Sequence, residues 1–502
     1  MTLFSPRRHV LLAASSFAAA LALPTVVHSA TLEWRVTTGD WFDQDNWTSG
    51  ETPTVDDTAI INNGGTANAG AAINVGNLGI SSTNGSEAVA GTLRSTSSLD
   101  TGSFFIGTSG SADGAGGTSS GLADIGGNVT VGTNLVTGAA RGSAANATGT
   151  LTVGGHLSLG GGASNVFVVG EALGNSGPIA SVATGTVAVQ GKIEGSMGIT
   201  AVGSVLNSPD ASATGTVIAD QIHLQTTLLR VGVTNSAGGS ASGSLLSNTG
   251  SITTQSGVDI GLRAGAGKNA SGSVTLGSGV LTTTGDNSFL QVGRFSAGVS
   301  ADPTTRESGS ATGALQARQI NGFGTLLIGD ISGSSLAGAQ AMGSLTVGAG
   351  GVTGTGNTQL RIGDVRHTVV NNALTGSGGI ARGEVTVTGG DMTGLGLVRI
   401  GVIENRGDAD GKLSLHNGNF SAERVLIGAA FGTFGIQEGE AAALRSARGA
   451  FAMENGTLTL SDQLVIGERL GAPAGTTAIG NVALDKVTAS IGGLIMNGSD
   501  AT

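Results

Sequence analysis

Residues 343–363, GSLTVGAGGVTGTGNTQLRIG, decide the fold. Gly343 opens the stretch, and Leu345 and Val347 follow two residues apart, both predicted to point inward. A short Gly-Val-Thr segment comes next at 351–353, and Leu360, Arg361, Ile362 and Gly363 close the unit. Leu345 and Val347 alternate with Ser and Thr, the period of two that a half-buried strand requires. Gly at each corner admits the positive φ of a tight bend.

Outward from this stretch, the unit repeats with variation from residue 91 onward. The opening Gly recurs thirteen times, from Gly91, Gly121 and Gly149 through Gly343 to Gly411, Gly449 and Gly480. Closing glycines are read at Gly107, Gly132, Gly170, Gly203 and so on to Gly467. Opener to closer is mostly 16 to 21 residues, and closer to the next opener varies from 10 to 21. One part of each repeat is therefore held and the other is free. A single copy cannot bury its own apolar face, so copies must stack, with coil-to-coil hydrogen bonds about 4.8 Å apart. The expected fold is all-β: a right-handed parallel β-helix, or β-solenoid, of about thirteen coils and roughly 60 Å. The Gly density forbids a helical alternative. The free segments, such as 330–342, 364–382, 402–410 and 429–448, should project as loops, where binding usually resides.

Composition agrees. Gly supplies 90 of 502 residues, Tyr and Cys are absent, and charged residues make up 11%. Such a chain builds thin layers of small aliphatic side chains rather than aromatic cores. The formal charge is −11, and without Arg7 and Arg8 the chain would hold 21 basic against 34 acidic residues, near −13. That excess repels nucleic acid and anionic lipid. The absence of Cys removes disulfides as a source of stability.

Residues 1–30 read as a signal peptide: basic Arg7 and Arg8, an apolar run over 10–23, Pro24, then small Ser29 and Ala30. The adjacent arginines fit a twin-arginine signal as well as general secretion, and either route makes the chain exported. No later stretch could cross a membrane as a helix. All three Trp, at positions 34, 41 and 47, fall within 31–90. Bulky Trp34, Trp41 and Trp47 can cover the bare first layer of a coil stack, so 31–90 is expected to be an N-terminal cap. Stacking on sugar rings is the alternative use for these side chains.

The pattern Trp34, Gly39, Trp41, Asn46, Trp47, Gly50, Pro53, Asp57 and Ile60, followed by repeats over 91–502, resembles the passenger region of bacterial autotransporters of the type V secretion route. The resemblance implies a β-solenoid exported to the cell surface or outer membrane. It also implies a C-terminal membrane barrel, which needs many ten-residue alternating strands with aromatic girdles. With 3% aromatics no barrel is expected within these residues, and the repeat reads as cut off in its last coil.

Candidate sites are few. His156, His223, His367 and His416 fall in different columns and form no catalytic pair, and no nucleophile or metalloprotease motif is present. Glu171, Asp330, Asp364 and Glu468 each follow a closing Gly, and Asp330 and Asp364, one coil apart, could share a cation. Arg230, Asp259, Gln291, Leu327, Arg361 and Arg399 hold the position before the closing apolar-Gly pair, facing outward by alternation. Arg230 over Asp259 is a favourable ladder pair, and Arg361 over Arg399 marks an anion-binding spot. Arg406, Gly407 and Asp408 form an RGD tripeptide in a loop, which in the resembled family is an integrin-binding motif. The leading expectation is a non-enzymatic exported adhesin with no cofactor. Its partners would be a receptor or glycan on a host or neighbouring cell, or further copies of itself. The alternatives are a polysaccharide lyase or hydrolase built on the same rod, and a structural surface layer.

Overall fold

The computed structural model describes residues 29–496 apart from 84–86, 111–116, 143–144, 175–180, 208–209, 236–238, 266, 297–308, 334–337, 367–368, 371–372, 375–378, 405–406, 433–444 and 473–474. Strand follows strand along the chain, and the one described helix is a three-residue 3-10 turn at Gln44–Asn46. The strands stack in parallel into a β-solenoid of about thirteen turns.

The opening glycines form one in-register column. Gly91 pairs with Gly121, Gly121 with Gly149, and the succession runs unbroken through Gly343 and Gly383 to Gly480. Side chains on either side of this Gly point inward at every second position. Leu345 and Val347 are buried on one side and Ala341 on the other. The closing glycines lie opposite, with φ between 59° and 68° from Gly107 to Gly467. From Gly121 on, each opener packs its bare Cα against the backbone of a closer, as Gly343 does against Gly329. A Cβ on either would strike main chain at every closer from Gly107 to Gly428, so two Gly columns pinch these coils.

The pinch divides the interior. On the Leu/Val side runs one continuous aliphatic core, from Leu32 to Leu464. On the Ala side runs a thinner core, in which Ala341, Ala381 and Ala409 meet Ile331, Val365 and Ile403. Those last three lie on two-residue strands that begin just past each closing Gly, such as Val365–Arg366. Stacking backbone bonds hold these short strands in place, since no isolated pair of residues would remain extended.

One closing position differs from expectation. Gly138, not Gly132, stands in register between Gly107 and Gly170, with φ of 66°. Val129-Thr130-Val131-Gly132 imitates a closer, but its strand belongs to the middle side of the coil, pairing with Leu157–Leu159. Coils also begin before residue 91. Thr31–Glu33 pairs with Thr58–Ile61, which pairs with Ile73–Thr83, so 31–90 is itself built of stacked turns.

At the N-terminal end Trp34, Trp41 and Trp47 are buried and pack edge to face, with ring centroids 5.1 and 4.8 Å apart. Trp47 Nε1 donates to the Trp41 carbonyl at 2.8 Å. These rings fill the end of the aliphatic core and present no open face for a sugar. At the other end the strand Thr476–Met496 pairs with Arg445–Ile466, and Leu484, Leu494 and Met496 are exposed. No helix among the described residues is long and apolar enough to cross a membrane.

Candidate binding site

Positive φ at the closing Gly folds the chain sharply, and two sequence columns that look separate meet in the resulting elbow. The residue two before the Gly and the residue one after it both face the notch. At the two ends of the rod this notch is mostly apolar, with Glu171 the buried exception early. Val136, Ala139, Val168 and Ala201 fill it early, and Val402, Leu426, Ala429 and Val465 fill it late. Between them the column reads Arg230, Asp259, Gln291, Leu327, Arg361 and Arg399, each in register with the next.

This column is not the solvated face that alternation predicts. Asp259, Gln291, Leu327 and Arg399 are buried, because the turn past each Gly covers them. Burial pushes the Asp259 carboxyl up to about 7, against the pull of Arg230 and Arg294. Glu171 is likewise raised by burial, with Arg141 and Arg230 opposing.

Asp330 and Asp364, proposed as sharing a cation, are brought close, but among arginines. Asp330 lies 3.4 Å from Arg294 Nε and 3.8 Å from Arg366 Nη2. Asp364 receives a hydrogen bond from Arg399 Nη2 at 3.1 Å and lies 3.7 Å from Arg366 Nε and 3.9 Å from Arg361 Nε. Arg399 also donates to Glu404. Four guanidinium groups surround two wholly buried carboxylates, so a cation would meet repulsion there. Among the described residues no three His, Cys, Asp or Glu side chains are grouped to hold a metal. The spot between Arg361 and Arg399, expected to take an anion, is occupied by the chain's own Asp364. Burial raises the Asp364 carboxyl while Arg399 pulls it down, and Asp364 and Glu404 together hold Arg399 above its usual value despite its burial.

The RGD tripeptide is only partly a loop. Arg406 lies outside the described residues. Asp408 opens the strand Asp408–His416, pairs with Ile380 and Ser446, and accepts a hydrogen bond from Ser446 N at 3.1 Å. Gly407 is buried with φ of 114°. The histidines are dispersed: His156 Nδ1 accepts from Lys192 N, His223 meets Ser251, and His416 meets Glu454. His367 lies outside the described residues.

A different feature stands out on the outer face of the opening strands. The position just before the opening Gly points outward, and in six successive coils it holds Thr148, Thr184, Thr214, Ser242, Ser271 and Thr312. After Met342 the column turns charged, with Arg382, Asp410 and Arg448 in register. Here the surface carries a groove of about 350 Å³ lined by Arg382, Asp408, Asp410, Arg445, Ser446 and Arg448 among others. On the next outward column Lys412 pairs with Glu384 at 2.8 Å. Among the described residues Arg382, Asp410 and Arg448 make no ion pair, although opposite charges neighbour one another. No local motif in the sequence marks this ladder, because its members are 28 and 38 residues apart. Aligning the thirteen openers and reading the preceding residue would have found it.

Comparison with family models, curated proteins and solved structures returns no match.

Proposed function

We propose that the chain is an exported, non-enzymatic rod of the passenger type that makes contact at a cell surface. The observation that carries this reading is the groove at Arg382, Asp410 and Arg448, which leaves two guanidinium groups and a carboxylate available on a rigid face. The use made of the other ionisable groups favours contact over turnover. Asp330 and Asp364 are tied to arginines inside the elbow, and a general acid or base must reach a substrate. The signal-like residues 1–30 and the autotransporter-like Trp pattern support export. Beads coated with the purified chain should adhere saturably to cells and be displaced by soluble chain. Adhesion no greater than that of beads carrying an inert protein would reject the reading.

A further inference from the structure

We propose that the groove at Arg382, Asp410 and Arg448 takes a carboxylate-bearing polysaccharide lying along the rod axis. This ligand class rests on the contact function proposed above.

Geometry sets the orientation. Successive coils stand about 4.8 Å apart, so the two guanidinium groups, separated by the Asp410 coil, can be roughly 10 Å apart along the axis. Guanidinium is the group that pairs a carboxylate through two parallel hydrogen bonds. Both Arg382 and Arg448 are exposed and have no partner among the described residues. Their neighbour Lys412 is already held by Glu384. Asp410 between them selects against a continuous run of negative charge and accepts hydroxyl donors. A uronic acid polymer offers both, carboxylates at intervals with hydroxyls between. The acidic excess of the whole chain acts weakly at this spot, because charges more than about 8 Å away are screened at physiological salt. The neutral Thr and Ser coils that precede Met342 have no such charges, so binding should be confined to the later coils.

Titration calorimetry of the full chain with polygalacturonate oligomers tests this. Saturable binding is expected, weakening as salt rises. Arg382→Gln and Arg448→Gln should each lower affinity about tenfold. Lys412→Gln, and Thr184→Ala on the neutral coils, should change it less than about twofold. Unchanged thermal melts would show that the exposed substitutions leave the fold intact. Absence of binding, or equal affinity in the double variant R382Q/R448Q, would overturn the proposal. So would poly-glutamate bound as tightly as the uronate, which would assign the face to acidic peptides. The coated beads separate this proposal from the contact function. Adhesion that survives in R382Q/R448Q, with uronate binding lost, overturns the uronate as the adhesive ligand and leaves contact standing. Uronate binding without any adhesion by the unaltered chain does the reverse.

Discussion

Gly363 illustrates how single residues set this architecture. Its φ is 59°, and a methyl group there would overlap the Asp410 carbonyl. Gly363→Ala should therefore lower stability by upwards of ~2 kcal/mol, from strain and displaced backbone together. Gly70, with nothing within 4 Å of its would-be Cβ and no positive φ, is the control. Gly70→Ala should stay within about 0.5 kcal/mol on the same denaturation curve. Asp259 makes a second prediction at this scale. Its folded pKa is raised to about 7 by burial, above the unfolded value of about 3.9. The native state therefore holds the proton more tightly, and this contribution, complete below about pH 4, is lost as pH rises through 7. Asp259→Asn should gain stability relative to the unaltered chain between pH 4 and pH 8. A difference that stays flat across that range would contradict the assignment.

The elbow is the element where sequence and structure part. The opening strands were legible because Leu and Val recur two and four residues after a fixed Gly, and all thirteen openers named from sequence share one register. Alternation also places Arg361 and Arg399 outward, which is correct for the strand alone. It fails to foresee that positive φ two residues later turns Asp364 and Arg366 back over them. Gly132 imitates Gly138 for a related reason: Thr137 stands where the other closers carry Ile or Val, so the apolar signature points to the wrong glycine. The network also makes a prediction. Arg399→Met removes the one side-chain hydrogen bond to Asp364 among the described residues and should destabilise by about 3–5 kcal/mol, because a buried carboxylate loses its hydrogen-bonded counter-charge and keeps only the more distant Arg361 and Arg366. Arg399→Met combined with Asp364→Leu should recover most of that loss. A chelator or added Ca²⁺ should leave the melting curve unmoved, since arginines already neutralise Asp330 and Asp364.

For the whole molecule, the pinched cross-section gives a stiff rod with two parallel cores, and its ends can be followed separately. The chain has three Trp, all packed in the first coils. Tryptophan emission should therefore be blue-shifted and resistant to iodide quenching, and it should report loss of the N-terminal coils rather than of the entire rod. Trp47→Ala should destabilise that end by about 3–5 kcal/mol. The candidate binding face could not be read from any local motif, because its three residues belong to three coils and meet only through stacking. The RGD tripeptide, visible at once in sequence, has its Asp408 engaged by the next strand.

The rod is proposed to bind a polymer without turning it over. This is tested most directly by incubating the purified chain with acidic polysaccharides at concentrations that saturate the groove and counting reducing ends over time. A bound polymer of unchanged length is expected. New ends, formed by the unaltered chain and lost in R382Q/R448Q, would contradict it and place an enzyme on this face.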